Sequence, residues 1–261
     1  MLPGRASASS RLLPEPGPEQ MEGRPRVPDR QALCGILFVP HTGVQWEYLP
    51  QELGFGSGMT GWRRLAAWNE SGVWGALHPV LPDKLRAPKE LDRSRAVTGS
   101  SHVRTLGAAR KRPQPGRPRT HHVLTDGQGI PLAASLNGGN PNGITQLLPL
   151  LDKGTAVAGT VGRPRHRPDA LLADRHDDHE KYRRLLRRRE IRAAIAERGV
   201  EHGSGLGVFR YLVERTIAWP HGFRRRRIRR ERRDDIHETF LGLATCPITH
   251  RHVQRLVRTS M

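Results

Sequence analysis

The sequence predicts a mixed α/β fold preceded by a smaller helical unit, and three observations carry this prediction. Short apolar runs with strand composition occur at residues 95–101, 121–136 and 170–173, and glycine- and proline-rich turns separate them. Segments with helical spacing follow the later runs, an alternation typical of parallel strands joined by helices. Before residue 91 the apolar pattern is helical only.

Positive charge is the strongest feature of the composition. Of the 261 residues, 44 are Lys or Arg and 25 are Asp or Glu, which gives a formal net charge of +19. So positive a balance predicts a polyanionic partner, most simply nucleic acid. A GC-rich genome, which raises Arg, Ala, Gly and Pro together, explains part of the excess. Clusters of arginine therefore carry more weight than the total.

Cysteine usage and apolar patterning exclude several classes of protein. Cys34 and Cys246 are the only cysteines, so no disulfide framework is predicted. The apolar runs are far shorter than the ~20 residues that cross a membrane, and the first residues lack the apolar core of a signal peptide. We therefore expect a soluble cytoplasmic protein, associated with the nucleoid, with no membrane partner.

The N-terminal third divides into a lead-in and a helical unit. Residues 1–27 are rich in Pro, Gly, Ser and charge, which predicts a disordered lead-in. Residues 28–90 carry three helical patterns, with Asp29 expected to cap the first. The pair Arg63 and Arg64 on the second helix suggests a helix-turn-helix unit that binds DNA. A plain helical packing domain explains the same pattern equally well.

Residues 91–261 contain the predicted α/β domain. A first strand at 95–101 precedes a β-hairpin around the sequence DGQG, in which Asp126 is expected to be a turn residue. An apolar helix, a strand, a charged helix and another strand follow, and the chain ends in a long helix from about Ile236. An antiparallel meander followed by parallel strands and helices is the order of a ribonuclease-H-like (retroviral-integrase-like) domain.

Two carboxylates lie where such a layout builds a metal site. Asp174 directly follows the apolar run ALLA, and Glu214 lies in the helical segment VFRYLVERTIAW. Phosphodiester chemistry in this layout needs three carboxylates converging on two divalent ions ~3.5–4 Å apart. Simpler interpretations stay open at this point: Asp174 as a helix cap, and Glu214 as the i,i+4 ion-pair partner of Arg210.

Several longer stretches resemble bacterial insertion-sequence transposases of the DDE type. They include RAVTGSSHVRTL, HHVLTDGQGIPLAASLNGG, ALLADRHDDHEKYRRLLRRR and YLVERTIAWPHGF, and the resemblance extends from Gly23 to Leu256. The group is the insertion-sequence-four/five superfamily of actinobacterial type. The resemblance implies binding to the terminal inverted repeats of the element, followed by Mg²⁺-dependent (alternatively Mn²⁺-dependent) cleavage and transfer to target DNA. We expect a homodimer on double-stranded DNA.

The resemblance also identifies catalytic positions, one of which is altered. Asp174 matches the second catalytic aspartate and Glu214 the catalytic glutamate, and both would be metal ligands. Where the family has its first aspartate, in a pattern like RAVVDSSHVRA, this chain has Gly99. Because glycine cannot ligate a metal, we expect weakened Mg²⁺ binding and impaired catalysis in a degenerate copy. The alternatives are a DNA-binding remnant that represses or titrates sites, and a non-functional product.

Arginines are expected to bind the DNA. The expected contacts are Arg63, Arg64, Arg210, Arg224, Arg225, Arg226, Arg227, Arg229 and Arg230. Since each neutralised phosphate releases counterions, binding should weaken steeply with salt. Four arginines of the charged helix are expected to form a wall of the same groove: Arg183, Arg184, Arg187 and Arg188. The alternative for the densest run is a solvated, disordered segment with no specific partner.

Overall fold

The computed structural model describes residues 13–14, 25–75, 77, 94–102, 104–105, 118–138, 143–154, 167–173, 178–195, 211, 214–215, 218, 222–224, 228–229, 231 and 233–259. Several residues predicted to be functional lie outside the described residues: Asp174, Arg210, Arg225, Arg226, Arg227 and Arg230.

A five-stranded mixed sheet forms the centre of the α/β part. Its strands are β1 (Arg95–His102), β3 (Pro118–Asp126), β4 (Pro131–Gly138), β5 (Ala170–Ala173) and β6 (Arg192–Ile195). Their order across the sheet is β4-β3-β1-β5-β6. The pairs β1–β3 and β3–β4 are antiparallel, whereas β1–β5 and β5–β6 are parallel. The predicted α/β class, with a meander followed by parallel strands, is confirmed.

The hairpin between β3 and β4 follows from its turn residues. Asp126 Oδ1 accepts hydrogen bonds from the backbone N–H groups of Gln128 at 3.0 Å and Ile130 at 2.7 Å. Gly129 has φ +88°, a conformation that glycine adopts without a steric penalty. Asp126 is therefore a turn residue, as the sequence predicts.

Two short helices cover one face of the sheet. They are α3 (Leu147–Lys153) and α4 (Glu180–Arg188). Leu150 of α3 and Leu186 of α4 are fully buried against Ala96, Leu124 and Leu171 of the strands. This apolar layer fixes the position of the parallel strands β1 and β5, whose ends form the candidate site.

A single long helix, α5 (Asp234–Thr259), lies between the sheet and the N-terminal helices. His237 of α5 contacts His121 of β3 on the sheet side. Ile236, Phe240 and Leu243 belong to the cluster formed with the N-terminal helices. The spacing of these three residues places them on one face of the helix. The helical unit and the α/β part therefore share α5 as a common packing element.

The N-terminal unit consists of α1 (Asp29–Thr42), a 3₁₀ turn (Trp46–Tyr48) and α2 (Gly58–Glu70). Leu13 and Val27 pack against the cluster, although the sequence places both in a disordered lead-in. The connection between α1 and α2 is far longer than the turn of about 3–4 residues in a helix-turn-helix, whereas helical residues 73–75 follow α2 after a two-residue turn. A DNA-binding role for this unit stays a prediction.

Asp29 does not cap α1, contrary to the sequence prediction. The N-cap position is Pro28, and no side chain caps the helix there. Asp29 instead accepts hydrogen bonds from Arg26 Nη2 at 2.8 Å and from Arg64 Nη1. Long-range pairing with α2 has replaced local capping at this residue.

Within the described part of the chain, no helix combines the length and apolarity that a bilayer crossing requires.

Candidate functional site

Gly99 lies on the central strand of the sheet. It pairs with Val123 of β3, and β1 runs parallel to β5 with Val97 beside Leu172. The described part of β5 ends at Ala173, one residue beyond Leu172. Because the carboxyl ends of parallel strands meet at one edge of a sheet, Gly99 and the end of β5 belong to the same edge.

The strand pairing also identifies the face on which position 99 lies. Residues directly opposite each other on antiparallel strands share a face, and every second residue returns to it. Gly99 therefore shares its face with Val123 and Ser101, and Ser101 is opposite His121. Since His121 contacts His237, this is the face that α5 covers. Position 99 thus lies on the face of the sheet against which α5 packs, opposite to the face covered by α3 and α4.

Glu214 lies in a short helical segment and is exposed. The next residue, Arg215, attaches this segment to the hairpin, since its Nη2 donates to the carbonyl oxygen of Gln128 at 2.9 Å. The Arg215 guanidinium also lies 5.7 Å from the centre of the Tyr211 ring. Sequence reasoning missed Arg215, although its four-residue spacing from Tyr211 was an available signal.

The described residues do not supply a complete site for two divalent ions. Such a site needs converging carboxylates, and Gly99 contributes no side chain. Asp174 lies outside the described residues, so of the predicted ligands only Glu214 is described. Among the described residues, no group of three or more His, Cys, Asp or Glu side chains is arranged to hold a metal ion. No catalytic step through a metal follows from this set.

Arg64 is engaged in contacts inside the protein, and its role as a DNA contact stays a prediction. Its side chain is 14% exposed and forms an ion pair with Asp29. The guanidinium also lies 3.4 Å from the carbonyl oxygen of Val27 and 5.7 Å from the Trp68 ring centre. Burial, and then the charge of Arg26, lowers the pKa of Arg64. Its contacts identify it as a brace between α1 and α2.

Arg183 is likewise engaged in contacts inside the protein, and its place in a groove wall stays a prediction. Its Nε donates to Asp178 Oδ1 at 2.8 Å, and its Nη2 donates to the carbonyl oxygen of Ile195 at 2.9 Å. These bonds join α4 to the end of β6. The other three arginines of the predicted wall are exposed: Arg184, Arg187 and Arg188. Glu180 offsets part of their charge, since its Oε1 lies within 4 Å of the first two.

Three further arginines that the sequence predicts to bind DNA are among the described residues. Arg63 and Arg224 are exposed. Arg229 lies on β7 (Ile228–Arg229), which pairs in parallel with β2 (Arg104–Thr105), the strand that directly follows β1. We call residues 224–233 the arginine segment. Residues 224, 228–229, 231 and 233 of this segment are described, and its contact with DNA stays a prediction.

The C-terminal end of the arginine segment is held by ion pairs. Arg233 donates to both carboxylate oxygens of Asp235, at 3.1 Å and 2.7 Å, and lies 3.6 Å from Glu70. The Arg233 hydrogen bond lowers the pKa of Asp235, and in turn Asp235 raises the pKa of Arg233. Asn69 Nδ2 also donates to Asp235 at 2.9 Å. These contacts attach the end of the segment to α2.

Family comparisons decide the class of this molecule. Residues 91–247 match the model described as "Transposase DDE domain", and residues 8–78 match "Putative transposase of IS4/5 family (DUF4096)". The first match covers more than half of the 261 residues. The chain belongs to the IS4/5 family of DDE transposases. The resemblance described from the sequence motifs is thereby confirmed.

Two proteins of Burkholderia cepacia are similar to parts of this family member. "Putative transposase for insertion sequence element IS402" is 53% identical over 135 residues, which are 52% of this chain and 64% of that protein. "Insertion element IS402 uncharacterized 16.2 kDa protein" is 52% identical over 102 residues, which are 38% of this chain and 69% of that protein. The chain thus spans less than two thirds of the length of the first relative.

Solved structures with a detectable likeness include Mos1 complexes. "Crystal structure of a pre-cleavage Mos1 transpososome" covers 91% of this chain and 81% of its own, at 11% identity and a TM-score of 0.25. "Crystal structure of the Mos1 mariner paired end complex with Mn" covers 94% and 82%, at 13% identity and a TM-score of 0.26. At these TM-scores the likeness carries no argument about this chain.

Proposed function

We propose that this IS4/5-family protein binds double-stranded DNA at the terminal inverted repeats of its element, and that its cleavage and strand-transfer site is impaired at Gly99. One observation carries the second half of the proposal. The position that resembles the first catalytic aspartate lies on the central strand, at the sheet edge where β5 ends, and a glycine occupies it. The loss is therefore located at the centre of the expected site.

The sheet supports a ribonuclease-H-like domain as the frame for this site. An antiparallel β4-β3-β1 meander is extended by the parallel strands β5 and β6. A strand that continues one residue past Ala173 presents that residue on the face of Leu172, because side chains alternate. Leu172 pairs with Val97, which shares the face of Gly99. We therefore propose this face as the one that carries the catalytic carboxylates.

The charge distribution supports DNA as the partner. The net charge is +19, Arg63 and Arg224 are exposed, and residues 228–229 of the arginine segment pair with the strand that follows β1. Binding spread over many phosphate contacts survives the loss of any one of them, because each contact contributes a small and similar share. DNA binding is accordingly expected to persist where catalysis is lost.

The test of the catalytic half restores the missing carboxylate. Gly99→Asp is expected to raise Mg²⁺- or Mn²⁺-dependent nicking at the element ends by at least ~100-fold, the scale of one essential electrostatic group. Ser100→Asp is the matched control, since it adds the same charge one residue away on the opposite face, where the side chain is exposed. Equal activity in both variants, or none in either, would contradict the proposal.

The same glycine favours a second function, in which the chain only binds DNA and represses or titrates the sites of intact relatives. Gel shifts with the inverted repeats, compared with shuffled duplexes over a salt series, test this function directly. Preference for the inverted repeats is expected. Binding that ignores sequence at every salt concentration would remove the repressor function, whatever the outcome of the nicking assay.

A further inference from the structure

Glu231, His237 and His121 form a buried chain of titratable side chains outside the predicted catalytic residues. His121 Nε2 lies 3.0 Å from His237 Nε2, and the two ring centres are 5.2 Å apart. His237 Nδ1 lies 3.6 Å from Glu231 Oε2, and these two side chains are 1% and 2% exposed. The three residues come from β3, α5 and the arginine segment, so the chain connects three separate parts of the fold.

The carboxylate sets the direction of the hydrogen bond between the rings. Two imidazole nitrogens at this distance share one proton, so one donates and the other accepts. A carboxylate beside Nδ1 of His237 favours a proton on that nitrogen. In neutral His237 the Nε2 atom then accepts, and His121 Nε2 donates. Glu231 therefore favours Nδ1–H in neutral His237 and, through it, Nε2–H in His121.

Glu231 occupies an unusual position in the sequence. The arginine segment contains eight arginines, and only Ile228 and Glu231 interrupt them. Because neighbouring side chains in this run are nearly identical, the arginines alone do not determine which of them occupies which position. A shift by one residue would place an arginine in the buried site beside His237. An unpaired charge is strongly disfavoured in such a site, because burial removes its hydration.

We propose that Glu231 fixes the register of the arginine segment through its contact with His237, which in turn contacts His121. Glu231 would thereby determine which arginines face DNA, and we call this role the register pin. The proposal rests on the proposed DNA-binding function of the arginine segment. Glu231 is buried and does not touch DNA itself, so it is a positioning residue. Three residues before it, Ile228 pairs with Arg104 just after β1. The segment is thus fixed at two points relative to the strand that carries Gly99.

The test compares Glu231→Leu with Glu231→Gln in the full chain. Leucine fills the site without a polar group, whereas glutamine keeps an oxygen beside His237 Nδ1. The readout is fluorescence anisotropy with an inverted-repeat duplex over a NaCl series, at a temperature where thermal melts show each variant folded. We expect Glu231→Leu to weaken binding about tenfold and to flatten the log–log salt slope by about 0.9 per lost phosphate contact. Glu231→Gln should stay close to the wild type in both.

Glu238→Leu is the matched control for this substitution. Glu238 lies on α5 next to His237, is partly exposed and pairs with Lys153 on the surface. Its replacement removes the same charge and is expected to leave affinity and slope nearly unchanged. If Glu231→Leu melts earlier but keeps the wild-type slope, or if Glu238→Leu loses the same slope, the pin is overturned.

A measurement on the wild type avoids any failure of a variant to fold. Nitrogen-15 spectra of labelled histidines should show Nδ1 protonated in His237 and Nε2 protonated in His121. The opposite tautomers in folded protein would overturn the pin. If the wild type binds no DNA at any salt concentration, the proposed function fails and takes the pin with it. If the wild type binds and Glu231→Leu binds identically, only the pin fails.

Discussion

The proposed catalytic site around Gly99 needs a few residues at one point, whereas the proposed DNA-binding surface of the arginine segment uses many residues. At the sheet edge, the proposed catalysis would depend on three carboxylates at one point, and the glycine at position 99 would remove one of them. In the arginine segment, the proposed affinity for DNA would be a sum over many similar contacts. A convergent site is thus lost in a single step, whereas a distributed surface weakens gradually. A decaying family member should therefore lose cleavage before it loses DNA binding.

The largest expected effect concerns the convergent site. In the Gly99→Asp background, Glu214→Gln should abolish the recovered nicking, with a loss of ~100-fold or more, because one member of a converging set is removed again. A nicking assay on element-end duplex measures this, and Glu238→Gln serves as a surface control. Retained activity without Glu214 would show that this glutamate is not part of the site.

A smaller effect is expected in the distributed surface. Arg224→Ala combined with Arg229→Ala should reduce the salt slope of DNA binding by about 1.8, that is ~0.9 for each of two phosphate contacts. Arg184→Ala combined with Arg187→Ala removes the same charge from α4, where Glu180 lies within 4 Å of both side chains. Binding isotherms should show a smaller change for this second pair. Equal changes would mean that net charge alone drives binding.

Arg63 and Arg64 allow the comparison between adjacent residues. Arg64→Ala should lower the free energy of unfolding by about 1–2 kcal/mol, because it removes a largely buried ion pair. In a domain of this size, that corresponds to a few degrees in Tm. Arg63→Ala should leave Tm unchanged and weaken DNA binding slightly. Thermal melts and binding isotherms on both variants check this, and a reversed pattern would contradict the structural role of Arg64.

Local patterns made much of the fold predictable. The turn DGQG is read correctly because Asp126 bonds the backbone only two and four residues away. The strand that ends at Ala173 is read correctly because all of its residues are apolar and buried on both faces. The family resemblance supplied the hypothesis that Gly99 stands at an altered catalytic position, which periodicity alone does not give, and this stays a prediction.

Long-range contacts explain what the sequence did not reveal. Asp is a common capping residue at helix N-termini, yet Asp29 pairs with Arg64, 35 residues away in sequence. His121 and His237 are 116 residues apart in sequence and touch because α5 packs against the sheet. Glu231 lies in the most basic stretch of the chain, which the sequence alone would place in solvent, yet its side chain is only 2% exposed. Each residue is positioned by tertiary packing, which local spacing does not report.

The smallest expected effect lies at the end of the arginine segment. Arg233 lowers the pKa of Asp235 in the folded protein, so the ionised carboxylate stabilises the fold above its unfolded pKa of ~3.9. That contribution is lost as the pH falls through the lowered folded pKa. Asp235→Asn should therefore reduce Tm slightly at pH 7 and make the acid side of the stability profile shallower below about pH 4.

Melts from pH 2 to pH 7 measure this, with Asp234→Asn as the neighbouring control, since Asp234 is also exposed in the first turn of α5. A profile of Asp235→Asn parallel to the wild type would show that the Arg233 pair does not stabilise the fold. Of the two attachments of the arginine segment between β7 and α5, the Glu231–His237 contact would then be the stronger one. Glu231→Leu would be expected to change the DNA salt slope while Asp235→Asn leaves it unaltered.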